Sequence, residues 1–93
     1  MELHEADKIV YVDRLDKAIS LTYGVIKSMF DTPIEMTKSD IFVVWHCKTL
    51  QNWKAILSAG FPGAPLVEVT YNGDKKETYV DIYRKLENIA VPD

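Results

Sequence analysis

Residues 70–86 read TYNGDKKETYVDIYRKL, and this stretch decides how the chain ends. Asn72 and Gly73 form a strong turn signal, because both residues tolerate the positive φ that tight turns require. Asp74 follows, with Glu77 three residues later, which is the spacing of a helix capping box. The apolar and aromatic residues after this point recur at helical spacing: Tyr79, Ile82, Tyr83 and Leu86. The stretch predicts a turn followed by a C-terminal helix that ends before Pro92.

The central part of the chain has the pattern of β-strands. Residues 41–48 (IFVVWHCK) are largely β-branched and aromatic, while residues 52–58 and 66–71 carry apolar side chains at every second position. Residues 60–65 are rich in glycine and proline and predict a loop between the last two strands. We therefore expect three strands.

The N-terminal part predicts one long helix over about residues 5–30. An apolar stripe at helical spacing supports it, with Thr22 as its weak point, and consists of Val12, Leu15, Ile19, Ile26 and Met29. The order helix, three strands, helix (α-β-β-β-α) predicts a single α+β domain over residues 1–93. Short connections favour an antiparallel meander with both helices on one face.

The sheet is then expected to keep one face open, but the first strand does not indicate which of its sides is covered. One possibility places Val43, Trp45 and Cys47 toward the helices. The opposite side then carries Phe42, Val44, His46 and Lys48. The reverse assignment is equally compatible with the sequence, because this strand is apolar on both sides. We expect Trp45 in the core, whereas Trp53 fits the core and an interface equally well.

Composition excludes several classes of protein. The chain has 93 residues, is 47% hydrophobic and carries a net charge of −3, which is typical of a small folded domain and disfavours nucleic-acid binding. The single cysteine, Cys47, indicates a reducing compartment and a buried thiol. The N-terminal residues lack the pattern of a signal peptide, and no apolar run approaches the length of a membrane span. We expect a cytoplasmic protein that does not enter membranes.

The residues that commonly carry catalysis do not form a pattern here. His46 and Cys47 are adjacent in a predicted strand, so their side chains should face opposite ways and cannot act together. Two histidines and one cysteine are too few for a typical zinc site. Nucleophile and phosphate-binding motifs are missing from the sequence. We predict a protein that is not an enzyme and needs no cofactor or metal.

Two kinds of binding remain to be compared. Two tryptophans and five tyrosines in a short chain favour a protein-interaction module or self-association as a homo-oligomer. The predicted topology is also that of double-stranded RNA-binding domains, which place lysines at the start of the last helix. Lys75 and Lys76 resemble that arrangement, but Asp74 and Glu77 flank them with a charge that repels phosphate. RNA binding is therefore the weaker hypothesis.

Two long motifs carry a resemblance to a known family. Residues 41–58 (IFVVWHCKTLQNWKAILS) and 67–88 (VEVTYNGDKKETYVDIYRKLEN) resemble small proteins of unknown function encoded by phages and prophages of Gram-positive bacteria. The CKTLQN and TYNGDK runs are the most specific parts. The chain departs from the family pattern at Trp53, where a polar residue is usual, and in a longer loop over residues 60–65. The resemblance implies a phage accessory role in the bacterial cytoplasm.

Phage accessory proteins of this kind bind a host or defence protein, or sequester a small nucleotide signal. The first is our main functional hypothesis, and the nucleotide is the alternative. The residue types suited to such binding, by charge, hydrogen bonding or aromatic contact, are Lys48, Asn52, Trp53, Lys54, Lys75, Lys76 and Tyr79.

Overall fold

The computed structural model describes residues 5–30 and 35–93, with side chains described from residue 14 onward. Helix α1 spans Glu5–Ser28, and a short 3-10 turn at Lys38–Asp40 leads into the sheet. The four strands are β1 (Ile41–Thr49), β2 (Asn52–Ala59), β3 (Leu66–Asn72) and β4 (Glu77–Tyr83). They form one antiparallel sheet in the order β1-β2-β3-β4. The long helix and the first three strands are confirmed.

The predicted three-stranded sheet with a C-terminal helix is wrong. Residues 77–83 form β4, which pairs with β3 over seven positions from Asn72 opposite Glu77 to Leu66 opposite Tyr83. This segment also alternates with period two, and its β-branched and aromatic residues suit a strand. Pairing with β3 gives one side of the β4 backbone a regular hydrogen-bonded ladder and packs Val80 against the core, and this long-range pairing outweighs the helical spacing of its apolar residues.

The Asn72-Gly73 signal is the start of a β-hairpin turn at residues 73–76, not of a helix. The Asn72 side-chain Oδ1 accepts hydrogen bonds from the backbone N–H groups of Asp74 and Lys75, at 3.1 and 3.2 Å. Asp74 therefore lies inside the turn and caps no helix. Lys75 and Lys76 follow in the same turn, so the comparison with double-stranded RNA-binding domains has lost its topological basis.

The helix packs on one face of the sheet through a stripe of small and branched residues. Ala18, Thr22 and Ile26 are fully buried, while Leu15 and Ile19 are half-buried. Thr22, the weak point of the predicted stripe, thus lies at the centre of the buried stripe. Its small side chain and that of Ala18 let the helix approach the sheet closely. Facing these residues, the sheet buries Ala55, Leu57, Val67 and Val69 completely.

Strand β1 contains an irregularity that reverses its faces. Val43 lies opposite Leu57, but Trp45 lies opposite Ile56, so Val44 is an extra residue of the bulge type. Before the bulge, Ile41 and Val43 face α1. Beyond it, His46 and Lys48 lie on the helix side, while Trp45 and Cys47 face away. The assignment that places Val43 toward the helix is therefore correct before the bulge, and the reverse assignment is correct beyond it.

The bulge also reverses the expected environments of two residues. Trp45 is 49% exposed and Cys47 is exposed, so the predictions of a core tryptophan and a buried thiol are wrong. Trp53 is the buried tryptophan, at 9% exposure, and it stacks on Tyr71 with ring centroids 5.9 Å apart. Within the described ranges 5–30 and 35–93, no helix is long and apolar enough to cross a membrane.

The hydroxyl of Thr22 is a buried polar group in the interface between α1 and the sheet. Its Oγ1 is buried and has no hydrogen-bond partner among the residues that the structure describes. Replacing Thr22 with valine keeps the side-chain shape and removes an unsatisfied polar group, so we expect the free energy of unfolding to rise by about 1 kcal/mol. Urea denaturation followed by circular dichroism measures this change.

A second threonine provides the control. Thr78 is half-buried, and its Oγ1 accepts a hydrogen bond from Lys17 Nζ at 3.0 Å. Thr78→Val removes this bond and is expected to give no gain in stability. If Thr22→Val lowered the unfolding midpoint, the hydroxyl would have a bonding role that the packing around Ala18 and Ile26 does not indicate.

Candidate functional site

The sheet face opposite α1, here called the open face, is formed by alternate residues of all four strands. Its large apolar and aromatic members are Phe42, Trp45, Ile56, Leu66, Tyr79 and Tyr83. Apart from the half-buried Ile56, each of them is between 42% and 52% exposed. No element among the described residues covers this face. It combines aromatic rings with aliphatic side chains, as the core of a protein–protein interface does.

Two polar contacts lie on the open face. Lys54 Nζ lies 3.4 Å from Glu68 Oε1, which joins β2 to β3. On β4, the Tyr79 hydroxyl donates a hydrogen bond to the Glu77 carboxylate. That hydrogen bond raises the pKa of Tyr79 above its usual value, because it stabilises the protonated phenol beside a negative charge. The charged groups of these two contacts therefore lie beside the apolar side chains of the open face.

A shallow depression lies on this face near the β1–β2 turn. Its volume is about 240 Å³. The side chains around it on the open face are Trp45, Cys47, Thr49, Asn52, Lys54 and Thr70. An indole and a thiol thus lie beside an amide and the ion-paired Lys54. The depression is wide and open, so it suits a protruding side chain of a partner better than an enclosed small molecule.

The two hairpin turns at this end of the sheet are joined to each other. The Gly73 N–H donates a hydrogen bond to Asn52 Oδ1 at 2.8 Å, and the Gln51 amide bonds to the Asp74 carboxylate. Lys75 and Lys76 are exposed beyond these bonds, and Lys76 has a φ of 54°. Asn52 consequently has a structural role, since it fixes the β3–β4 turn against β2.

The structure does not bring the seven predicted binding residues together. Asn52, Trp53 and Lys54 border the depression, although the Trp53 ring stacks on Tyr71 at the helix side of the sheet. Tyr79 lies on the open face of β4, and Lys48 is on the helix side. The two lysines of the β3–β4 turn lie beyond the end of the sheet.

Two aromatic residues of this face, Trp45 and Tyr83, are not among the binding residues that the sequence predicts. The sequence predicts Trp45 in the core, because the bulge at Val44 leaves no clear mark in a strand that is apolar on both sides. It predicts Tyr83 in a helix. A strand reading of residues 77–83 would have placed Tyr79 and Tyr83 on the same face, since they are four residues apart in a period-two pattern.

The separation of thiol and imidazole is confirmed. Cys47 faces the open side of β1, and His46 faces the helix side next to Arg14 and Leu15. Their side chains therefore point to opposite faces of the sheet. In the part of the chain that the structure describes, no three His, Cys, Asp or Glu side chains are grouped closely enough to hold a metal ion.

Comparison with known proteins gives a family but no function. Neither the curated proteins nor the solved structures contain a match to this chain. One family model, described as a family of unknown function, matches residues 15–93, which include most of α1 and the whole sheet. The chain therefore belongs to DUF6275, a family of unknown function.

Proposed function

We propose that this protein is a non-catalytic binding module that holds a partner protein against the open face of its sheet. The observation that carries the proposal is the exposure of Phe42 and Trp45, each at 49%, on a sheet face that no described element covers. Aromatic side chains that lose water on binding supply much of the affinity of protein interfaces. A small domain gains no stability from displaying them in water.

The resemblance of the CKTLQN and TYNGDK motifs to phage and prophage proteins suggests what the partner is. We infer that the gene belongs to a phage, that the protein acts in the cytoplasm of the bacterial host, and that the partner is a host or defence protein. The net charge of −3 supports a protein rather than a nucleic acid as the ligand, because phosphate binding favours an excess of basic residues.

A nucleotide signal fits this geometry less well than a protein does. Lys54, the cation at the depression, is already paired with Glu68 at 3.4 Å, and Asn52 Oδ1 accepts the Gly73 N–H. Lys48 lies on the other face of the sheet, and Lys75 lies in the β3–β4 turn. A phosphate group at the depression would meet few available donors, whereas an apolar side chain would contact Trp45 directly.

The experiment is a capture assay followed by a measured affinity. The tagged protein is incubated with lysate of a Gram-positive host, the captured protein is identified and purified, and its Kd is measured by calorimetry. The double variant Phe42→Ala, Trp45→Ala is expected to bind at least about tenfold more weakly, because both side chains are large aromatic contacts. Circular dichroism shows whether the variant remains folded.

The matched control is Leu50→Ala. Leu50 is 77% exposed and lies in the β1–β2 turn, outside the open face, so its loss should leave the Kd unchanged. Cys47 provides an independent measurement, since its exposed thiol should react with a maleimide in the free protein and be protected in the complex. A partner that binds the double variant normally and leaves Cys47 reactive would contradict the proposed face.

A further inference from the structure

Strand β4 is exposed in three directions at once. It is an edge strand, so one side of its backbone has no neighbouring strand among residues 5–30 and 35–93. On the open face, Tyr79 and Tyr83 are 42% and 52% exposed. On the helix side, α1 reaches β4 through the Lys17–Thr78 hydrogen bond, and Ile82 is still 43% exposed. A free edge flanked by apolar side chains favours pairing with another strand.

The chain beyond β4 is exposed as well. Residues 84–93 have no regular structure, yet they carry apolar side chains. Leu86 is 98% exposed, Ile89 is 70% exposed and Val91 is 82% exposed. Two basic residues, Arg84 and Lys85, come directly after the strand. This segment continues β4 and is therefore available to lengthen it when a partner strand supplies hydrogen bonds.

We propose that β4 pairs antiparallel with β4 of a second copy, giving a continuous eight-stranded sheet related by a two-fold axis through Asp81. This goes beyond the proposed function, because it uses the backbone edge of β4 and not the partner site around Phe42 and Trp45. The opposite edge of the sheet is less suited to pairing, since the bulge at Val44 interrupts β1, whereas β4 is regular over all its seven residues.

The position of the axis follows from charge and side-chain direction. Residues directly opposite each other in a sheet share a face, and successive residues of a strand alternate between faces. A two-fold axis normal to the sheet must therefore lie midway between the two copies of one residue, and not between two successive residues. An axis at Asp81 places Glu77 opposite Lys85 of the second copy, and Tyr79 opposite its Tyr83. On the helix side, Val80 lies opposite Ile82. Symmetry makes each of these favourable contacts twice.

Neighbouring registers are electrostatically worse. An axis at Val80 places Lys76 opposite Arg84, and an axis at Ile82 places Glu77 opposite Glu87, so both set like charges against each other twice. The register at Asp81 has one cost, the contact of the two Asp81 carboxylates across the axis. Removing the Asp81 charge should therefore strengthen the dimer in this register.

The test is sedimentation equilibrium of the full chain and its variants over a range of protein concentrations. Wild type is expected to be a reversible dimer. Lys85→Glu should weaken it roughly tenfold or more, because two opposite-charge contacts become repulsive. Glu77→Lys should have the same effect, and the double variant Glu77→Lys, Lys85→Glu should restore wild-type affinity. Asp81→Asn should tighten the dimer several-fold by removing the repulsion at the axis.

Arg84→Glu is the matched control. It changes the net charge by the same amount as Lys85→Glu at the neighbouring position, but it lies opposite Thr78 in this register and should not weaken the dimer. The proposal is overturned if the wild-type chain stays monomeric at a protein concentration of about 1 mM, because the dimer Kd would then lie above the range of specific association. A dimer that Arg84→Glu weakens as much as Lys85→Glu, or one that the double variant fails to restore, also overturns it. None of these results affects capture of a partner through Trp45, which is measured separately.

Discussion

Replacing Leu57 with alanine is expected to lower the free energy of unfolding by about 3 kcal/mol, within the 2–5 kcal/mol typical of large-to-small changes at buried sites. Leu57 is fully buried in the second strand of the sheet, opposite Val43 of β1 and Val67 of β3. Removal of its isobutyl group leaves a cavity under α1 at the point where three strands meet. Two rigid neighbouring strands limit how far the cavity can collapse, which keeps the cost high.

Ile56 provides the matched control for this measurement. It is adjacent to Leu57 in the same strand but faces the open side and is half-buried. Ile56→Ala is expected to cost about 1 kcal/mol, because less apolar surface is re-exposed and no enclosed cavity forms. Urea denaturation of both variants in dilute solution gives the two values. Equal losses would contradict a sheet that is covered on one face.

The parts of the fold that could be predicted from sequence are those where one physical pattern dominates. In β2, Trp53, Ala55 and Leu57 occupy every second position, and the structure buries all three. The other side of β2 carries Asn52, Lys54 and Ser58 beside a single apolar residue, Ile56. In β3, Val67 and Val69 alternate with Glu68, and the structure again buries the valines. A strand with one apolar side can adopt only one orientation toward the core without burying charge, so its sequence determines its faces.

Prediction failed where two patterns overlap. Residues 79–86 have apolar side chains at helical spacing, and the overlapping residues 77–83 place Thr78, Val80 and Ile82 on one side, as in a strand. The choice depends on whether β3 offers a free edge for pairing, which is a property of the whole fold. The Asn72-Gly73 pair favours a hairpin, and this signal should outweigh the acidic residues that follow it. The spacing of Asp74 and Glu77 fits a helix capping box, but it is a weaker signal than the Asn72-Gly73 turn.

The residues of the open face were only partly predictable for a related reason. Strand β1 is apolar on both sides, and a single extra residue at Val44 moves Trp45 from the core to the open face. A bulge changes the faces of every residue beyond it, so a local feature determines the environment of a distant side chain. Residue type alone could not show that Lys48 and Lys54 lie on opposite faces of the sheet.

Gly73→Ala is expected to destabilise the protein by about 2–3 kcal/mol, the upper range for overpacking a tight site, with lost hydrogen bonds included. A methyl group at Gly73 would overlap the backbone oxygen of Gln51 and lie 2.7 Å from its Cβ. Because a backbone atom cannot move aside cheaply, the β3–β4 turn must shift away from β2. That shift breaks the Gly73–Asn52 hydrogen bond and the Gln51–Asp74 contact, which join the two turns.

Gly24→Ala separates this steric effect from the general effect of adding a methyl group. Gly24 lies in the exposed part of α1, and a Cβ there would meet no atom within 4 Å. The change should therefore raise the free energy of unfolding by about 1 kcal/mol through helix propensity. The two glycine variants, measured by thermal and urea denaturation, should shift stability in opposite directions. If Gly73→Ala were neutral, the two turns would not be in contact, and Asn52 would be free to take part in binding.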